Sequence, residues 1–105
     1  MIQLHLDLNV GPDKEAEMLR YFDTVFRPAA AKFTGYIDVK MLKLRTATMG
    51  TAPAGMNYRF WLAYESEELR QKWISSDVHT EVWGGMEKTF ASHDYDVLVF
   101  DVPRS

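Results

Sequence analysis

Apolar and polar residues alternate at the start of the chain. Every second position over residues 2–10 is apolar, and this period of two predicts a β-strand with one buried face. The same alternation recurs over 58–65 and predicts another strand of this kind. Residues 36–45 and 95–102 are also strand-like. The apolar positions of 36–45 change phase, which indicates a β-bulge or a strand that is covered on both faces.

A spacing of three and four residues between apolar positions predicts an amphipathic helix after the turn at residues 11–13. The apolar side of this helix comprises Ala16, Leu19, Phe22, Phe26, Ala30 and Phe33. We expect a kink or a break at Pro28, because proline removes a backbone donor and disfavours helical geometry at the residue before it. Gly35 is expected to end the element.

A second helix is predicted to begin after Ser66, whose hydroxyl suits an N-cap, and to carry Trp73 on its apolar face. The polar side chains of residues 75–77 compete for backbone hydrogen bonds, so we expect a bend there and a new cap. Gly84 and Gly85 each weaken the following turns by about 1 kcal/mol relative to alanine. They indicate the close approach of another backbone or a ligand, or else a local helix end.

The order of these elements, βαββαβ, predicts an α+β domain with the ferredoxin-like arrangement, in which two helices cover one face of a four-stranded antiparallel sheet. A chain of 105 residues has room for one such domain, spanning 1–105. The first and third strands would be central neighbours, so Arg59 and Trp61 would point away from the helices. We expect a two-fold homodimer that packs sheet against sheet and covers this second face.

Composition narrows the possible partners and cofactors. The net charge of -3 argues against a nucleic-acid-binding surface. The chain has no cysteine, which excludes disulfides and zinc ribbons, and its three histidines lack the spacing of a metal site. The first residues do not form a signal peptide, and no segment approaches the ~20 apolar residues of a membrane span. We therefore expect a cytoplasmic protein with no metal, no nucleic-acid partner and no membrane contact.

Heavy aromatic side chains surround one histidine within residues 73–83. Residues four apart share a helix face, so His79 and Trp83 point the same way, and Met86 and Phe90 continue the stripe. A titratable ring among apolar side chains is typical of a binding pocket, and equally of an ordinary core with one buried histidine. Both interpretations stay open at this point.

With these elements in place, the chain resembles the antibiotic biosynthesis monooxygenase family of the dimeric α/β-barrel superfamily. The likeness covers nearly the whole length, including the aromatic strand at 58–64, the acidic start of the second helix at 65–68 and the closing strand at 95–102. It implies a dimer whose sheets build a barrel, with a pocket between sheet and helices in each subunit. Members include cofactor-independent oxygenases of polycyclic phenols and quinols.

A second likeness points to the haem-degrading branch of this family. That branch carries Trp-x-x-Ser-Asp-Val on the same helix, and residues 73–78 match it. In that branch the tryptophan lines the haem pocket, and a histidine ten residues later ligates the iron. This chain has Trp83 at that position, and His79 lies one helical turn earlier on the same face.

We therefore expect a homodimeric, cofactor-independent monooxygenase that acts on a small hydrophobic or aromatic, quinol-like compound. His79 is the candidate base that deprotonates the substrate. The candidate substrate-binding residues are Trp73, Trp83, Tyr64, Met86 and Phe22. Two alternatives stay open: haem binding or degradation through His79, and a non-catalytic small-molecule-binding or stress-response dimer.

Overall fold

The computed structural model describes residues 1–103, in which four strands form an antiparallel sheet. The strands are β1 (Ile2–Leu8), β2 (Tyr36–Lys43), β3 (Tyr58–Tyr64) and β4 (Val97–Asp101), in the spatial order β2-β3-β1-β4. The helical elements are α1 (Glu15–Tyr21), a π-helical turn (Phe22–Phe26), α2 (Arg27–Ala30), α3 (Glu67–Ile74) and α4 (Asp77–Glu87). Element order and sheet confirm the predicted α+β, ferredoxin-like fold.

The alternation along β1 places its apolar residues against the helices. These side chains are at most 7% exposed, whereas the polar residues between them are half-buried on the other face. β1 pairs with β3 from Ile2 opposite Tyr64 to Leu8 opposite Tyr58. Residues that pair across strands share a face, so the inward residues of both strands meet. The core therefore forms between these two central strands and the helices.

Strand β2 contains a bulge at its start, whereas the register is unbroken across the predicted change of phase between Met41 and Leu42, where Leu42 faces away from the helices and is 45% exposed. The register shifts between Tyr36 and Asp38, so Ile37 falls outside the ladder and is 43% exposed. Val39, which pairs with Leu62, returns to the helix side and is buried. The extra residue of a bulge reverses the alternation, and for this reason Ile37 does not share a face with Val39.

The first helical region continues through Pro28 without a break, but a π-helical turn comes directly before the position where a kink or a break was predicted. The N–H of Arg27 donates to the carbonyl oxygen of Phe22, five residues earlier, and this wide turn accommodates the proline ring. The region ends at Ala30 and does not reach Gly35, so the expectation that Gly35 ends the helix was wrong. The buried stripe is also shifted and consists of Met18, Phe22, Phe26 and Ala30. A spacing of four suits a helix that contains a wider turn.

The second helical region divides where the sequence predicted a bend. Ser66 caps α3 by accepting a hydrogen bond from the N–H of Leu69 at 3.2 Å. Ser76 caps α4 by accepting from the N–H of His79 at 3.1 Å, while its own hydroxyl donates to the carbonyl oxygen of Trp73.

No helix within residues 1–103 is long and apolar enough to cross a membrane.

Helix α4 continues through both of its glycines. A Cβ atom at Gly85 would collide with the ring and hydroxyl of Tyr21, which lies against this position from the first helix. A Cβ atom at Gly84 would meet nothing within 4 Å. The close approach that the sequence indicated is therefore made by a tyrosine side chain, and only at Gly85.

Candidate functional site

A cavity of about 160 Å³ lies between the helix side of the sheet and helices α3 and α4. Its floor is apolar and consists of Leu4, Leu6, Phe60 and Leu62 from the two central strands. Val97 also lines the cavity and is 50% exposed, so the cavity opens to solvent beside strand β4. A concave, largely apolar site of this kind suits a small hydrophobic molecule.

Interlocking aromatic rings build the wall on the helix side. Phe26, at the end of the π-helical turn, packs edge-on against Trp73 at 6.0 Å and Trp83 at 5.8 Å between ring centroids. It meets Phe60 of the floor in the same way at 5.4 Å. Edge-to-face pairs contribute about 0.5–1.5 kcal/mol each beyond burial of their area. The wide turn before Pro28 thus positions the ring that joins floor and wall.

His79 lies between the two tryptophans that line the cavity. Its imidazole is edge-on to Trp73 at 5.0 Å and parallel to Trp83, with centroids 6.4 Å apart and planes 9° apart. Neither ring nitrogen of His79 hydrogen-bonds another residue in the part of the chain that the structure describes. Both nitrogens are therefore available to a bound molecule.

Burial, and after it the positive charge of Arg70, lowers the pKa of His79, although the carboxylate of Glu87 opposes the shift. The ordinary value for histidine is 6.5, so the imidazole is neutral at neutral pH. A neutral imidazole can accept a proton, which is the state that a general base requires.

Arg70 brings a positive charge to the cavity and is only 7% exposed. Its Nε and Nη2 atoms contact one carboxylate oxygen of Glu67 at 2.8 and 2.6 Å, one helical turn earlier on α3. The sequence analysis did not single out this arginine. Its position three residues after Glu67 and three before Trp73, on one helix face, was the available signal.

Tyr95 closes one side of the cavity through a chain of two hydrogen bonds. The indole N–H of Trp83 donates to the Tyr95 hydroxyl at 2.8 Å, and this hydroxyl donates to a carboxylate oxygen of Glu87 at 3.0 Å. Burial raises the pKa of Tyr95, so the hydroxyl keeps the proton that it donates. Tyr95 was not among the predicted site residues, because its place in the predicted last strand gave no sign that its hydroxyl meets Trp83 and Glu87.

Three of the six predicted site residues meet in this cavity, namely Trp73, His79 and Trp83. The other three lie deeper in the core and do not line it. Phe22 packs behind Phe26 at 6.0 Å, and Met86 is fully buried. Tyr64 is 1% exposed, and burial raises its pKa to about 12. Its hydroxyl has no hydrogen-bond partner among residues 1–103.

The size of the cavity shows whether it could hold the haem that the sequence resemblance left as an alternative. A cavity of about 150 Å³ holds one benzene ring, and this cavity, at about 160 Å³, is of that size. Haem, with four pyrrole rings, requires far more space. The rings of Trp73 and Trp83 also flank His79, which restricts access to it. The residues of this cavity do not fit haem. Among the described residues, no group of three histidine, aspartate or glutamate side chains could hold a metal ion.

Several proteins of known structure are similar to this chain in their fold. No protein-family model matches the chain, and no curated protein matches it. The cofactor-independent oxygenase SnoaB from Streptomyces nogalater superposes with a TM-score of 0.76 at 10% identity, covering 99% of this chain and 94% of that one. A proposed antibiotic biosynthesis monooxygenase from Caulobacter crescentus gives 0.75 at 19% identity, covering 98% and 90%.

A third structure is a dimeric ferredoxin-like protein of unknown function from Jannaschia sp. It superposes with a TM-score of 0.76 at 12% identity, covering 97% of this chain and 100% of that chain. At these identities the likeness establishes the fold. The chain thus has the fold of the antibiotic biosynthesis monooxygenases, as the sequence resemblance implied.

Proposed function

We propose that this protein is a cofactor-independent monooxygenase that oxidises a small phenol or quinol in the cavity beside His79. One observation carries the proposal: an imidazole with a lowered pKa and unbonded ring nitrogens lines a largely apolar cavity of about 160 Å³. The shared fold with SnoaB, a cofactor-independent oxygenase, supports the same reaction class. Trp73 and Trp83 would hold the substrate ring against His79.

In the proposed reaction the substrate supplies the electrons. His79 accepts a phenolic proton, and the resulting anion transfers one electron to dioxygen. The substrate radical and superoxide then combine, which forms a carbon–oxygen bond at a ring carbon and gives a hydroperoxide. Cleavage of the O–O bond releases water and leaves a new carbonyl. For hydroquinone the sum is hydroquinone plus dioxygen giving hydroxybenzoquinone plus water, so one oxygen atom enters the product.

The apolar floor and walls would assist this reaction in two ways. They shield the substrate from water on every side except the opening beside β4, which strengthens the electrostatic interactions of the developing anion with nearby charged groups. They also hold the substrate ring in one place by shape, as the edge-on contacts of Phe26 with Trp73 and Trp83 fix the wall.

Oxygen uptake is the direct test. Purified protein is mixed with hydroquinone and naphthohydroquinone without added metal or cofactor, and dioxygen labelled with heavy oxygen identifies the product by mass spectrometry. His79→Asn should lower the rate by roughly 100- to 10,000-fold, the usual contribution of a general base. His93→Asn, at an exposed position away from the cavity, is the matched control.

An equal rate in wild type and His79→Asn would disprove the role of His79. Thermal stabilisation by these compounds without any oxygen uptake would favour the non-catalytic binding protein instead. Incorporation of two labelled oxygen atoms, or none, would contradict a monooxygenase.

We propose further that the protein is a homodimer. On the sheet face away from the helices, Leu98 and Phe100 of β4 are 51% and 48% exposed, and His5 packs edge-on against Phe100 at 5.0 Å. A second copy could cover this apolar surface. The dimeric ferredoxin-like protein from Jannaschia supports this assembly.

Light scattering at micromolar concentration tests the assembly. The wild type should show twice the mass of one chain, and Leu98→Asp should show the mass of one chain because a charge cannot be buried in the interface. Val25→Asp, which changes an exposed apolar residue on the helix side, should stay dimeric. A monomeric wild type would refute the proposal.

A further inference from the structure

We infer that Arg70 binds the anionic oxygen of the ligand and that this ligand is a phenol with a single aromatic ring, bound as its phenolate. The inference deepens the proposed function, on which it rests, by naming the substrate class.

The guanidinium of Arg70 has donors that the protein does not use. Its hydrogen bonds to Glu67 involve Nε and Nη2, and Nη1 makes none within residues 1–103. Arginine carries five N–H donors, and Nη1 is open to solvent, since the Tyr64 hydroxyl is the one buried side-chain polar atom without a partner within residues 1–103. Because Arg70 is 7% exposed and lines the cavity, a ligand oxygen there is a suitable acceptor.

The charges around the cavity favour an anion. Arg70 is the one side chain with a permanent charge among the described residues that line it, since His79 is neutral at neutral pH. The carboxylate of Glu67 neutralises Arg70 only in part, because the Glu67 side chain is 44% exposed and shared with water. The guanidinium therefore keeps enough positive charge to form a charge-assisted hydrogen bond with a bound anion.

Arg70 lines the same cavity as His79, so binding of the ligand by Arg70 is linked to the proposed reaction. The charge of Arg70 reaches the imidazole, since it contributes to the lowered pKa of His79. For a phenol placed between the two groups, Arg70 would lower the pKa of the hydroxyl by stabilising the phenolate, and this would favour proton transfer to His79. In this ionisation His79 would accept the proton and Arg70 would stabilise the anion.

Cavity size limits the ligand to one ring. At about 160 Å³ the cavity is close to the roughly 150 Å³ that encloses a benzene molecule. A second fused ring would project past Val97, where the cavity opens to solvent, and lose contact with the apolar walls. Single-ring phenols should therefore bind better than their two-ring counterparts.

The test measures binding of para-nitrophenol, whose anion absorbs visible light and whose nitro group withdraws electrons and so disfavours electron transfer to dioxygen. Wild-type protein should bind the anion and lower the pKa of the bound phenol. Arg70→Gln should weaken binding by roughly 10- to 100-fold, the usual effect of losing a hydrogen bond to a charged group. Glu67→Gln, at a partly exposed position, should tighten binding because the arginine loses its competing carboxylate.

Glu67→Gln keeps the inference testable even if Arg70→Gln fails to fold, which circular dichroism would reveal. Weaker or unchanged binding in Glu67→Gln would overturn the inference, as would binding of the neutral phenol. So would unchanged affinity in a folded Arg70→Gln, or tighter binding of para-nitronaphthol than of para-nitrophenol. Oxygen uptake is measured separately: binding that depends on Arg70 without uptake refutes only the proposed function, whereas uptake with binding independent of Arg70 refutes only this inference.

Discussion

The indole N–H of Trp83 donates a hydrogen bond to the hydroxyl of Tyr95 across 2.8 Å, and this bond joins helix α4 to the segment before strand β4. Both residues line the cavity. The shape of the site therefore depends on a contact between two consecutive parts of the chain: α4 covers the sheet, and the segment at Tyr95 leads into its edge strand.

Tyr95→Phe should lower the free energy of unfolding by about 1–2 kcal/mol, because it leaves the half-buried indole N–H of Trp83 without an acceptor. Urea denaturation measures the loss, and the fluorescence of Trp83 should change with it. Tyr21→Phe is the control, since the Tyr21 hydroxyl makes no hydrogen bond within residues 1–103. Equal effects of the two substitutions would contradict the assigned role of Tyr95.

Alanine substitutions at the two glycines of α4 should change the free energy of unfolding in opposite directions. Gly84→Ala fills open space and should raise the free energy of unfolding by about 1 kcal/mol through helix propensity. Gly85→Ala should lower it by about 1–3 kcal/mol, because the Tyr21 ring must move away from the new methyl group. Thermal and urea denaturation of both variants compare them directly. A stabilising Gly85→Ala would show that Tyr21 does not occupy this position.

The two buried tyrosines at the ends of β3 form another matched pair. Tyr64→Phe removes a hydroxyl that lacks a partner within residues 1–103, so the free energy of unfolding should stay level or rise by about 1 kcal/mol. Tyr58→Phe should lower stability, since the Tyr58 hydroxyl donates to a carboxylate oxygen of Glu15 at 2.5 Å. A larger loss for Tyr64→Phe than for Tyr58→Phe in urea denaturation would refute this prediction.

Acidification should destabilise the protein through His79. Burial, followed by the charge of Arg70, holds the folded-state pKa below the ordinary 6.5, so the unfolded chain binds the proton first as the pH falls. The contribution of His79 to stability is fully present above about pH 6.5 and is lost as the pH falls through the lowered pKa.

His79→Gln should therefore show a smaller decline in the free energy of unfolding between about pH 7 and about pH 5. The pKa of His5 is also lowered, chiefly by burial, but His5 is present in both proteins and its effect cancels in the comparison. Urea denaturation at several pH values measures both slopes. Parallel slopes would show that His79 titrates alike in the folded and unfolded states.

Local features of the fold could be predicted from the sequence because each depends on neighbouring residues. The alternation of β1 requires only that one face be buried, and the hydroxyls of Ser66 and Ser76 reach the free N–H groups three residues ahead. The π-helical turn that accommodates the ring of Pro28 was not predicted, because local rules do not anticipate this geometry.

Some residues of the candidate site could likewise be predicted from the sequence, whereas others could not. His79 and Trp83 share a face because they are four residues apart on one helix, so sequence spacing alone determined that they would meet. Tertiary structure decided that Arg70 and Tyr95 line the same cavity and that Phe22, Tyr64 and Met86 do not. Periodicity determines which side of an element a residue occupies, whereas the packing of separate elements determines whether a side chain lines a cavity or fills the core behind it.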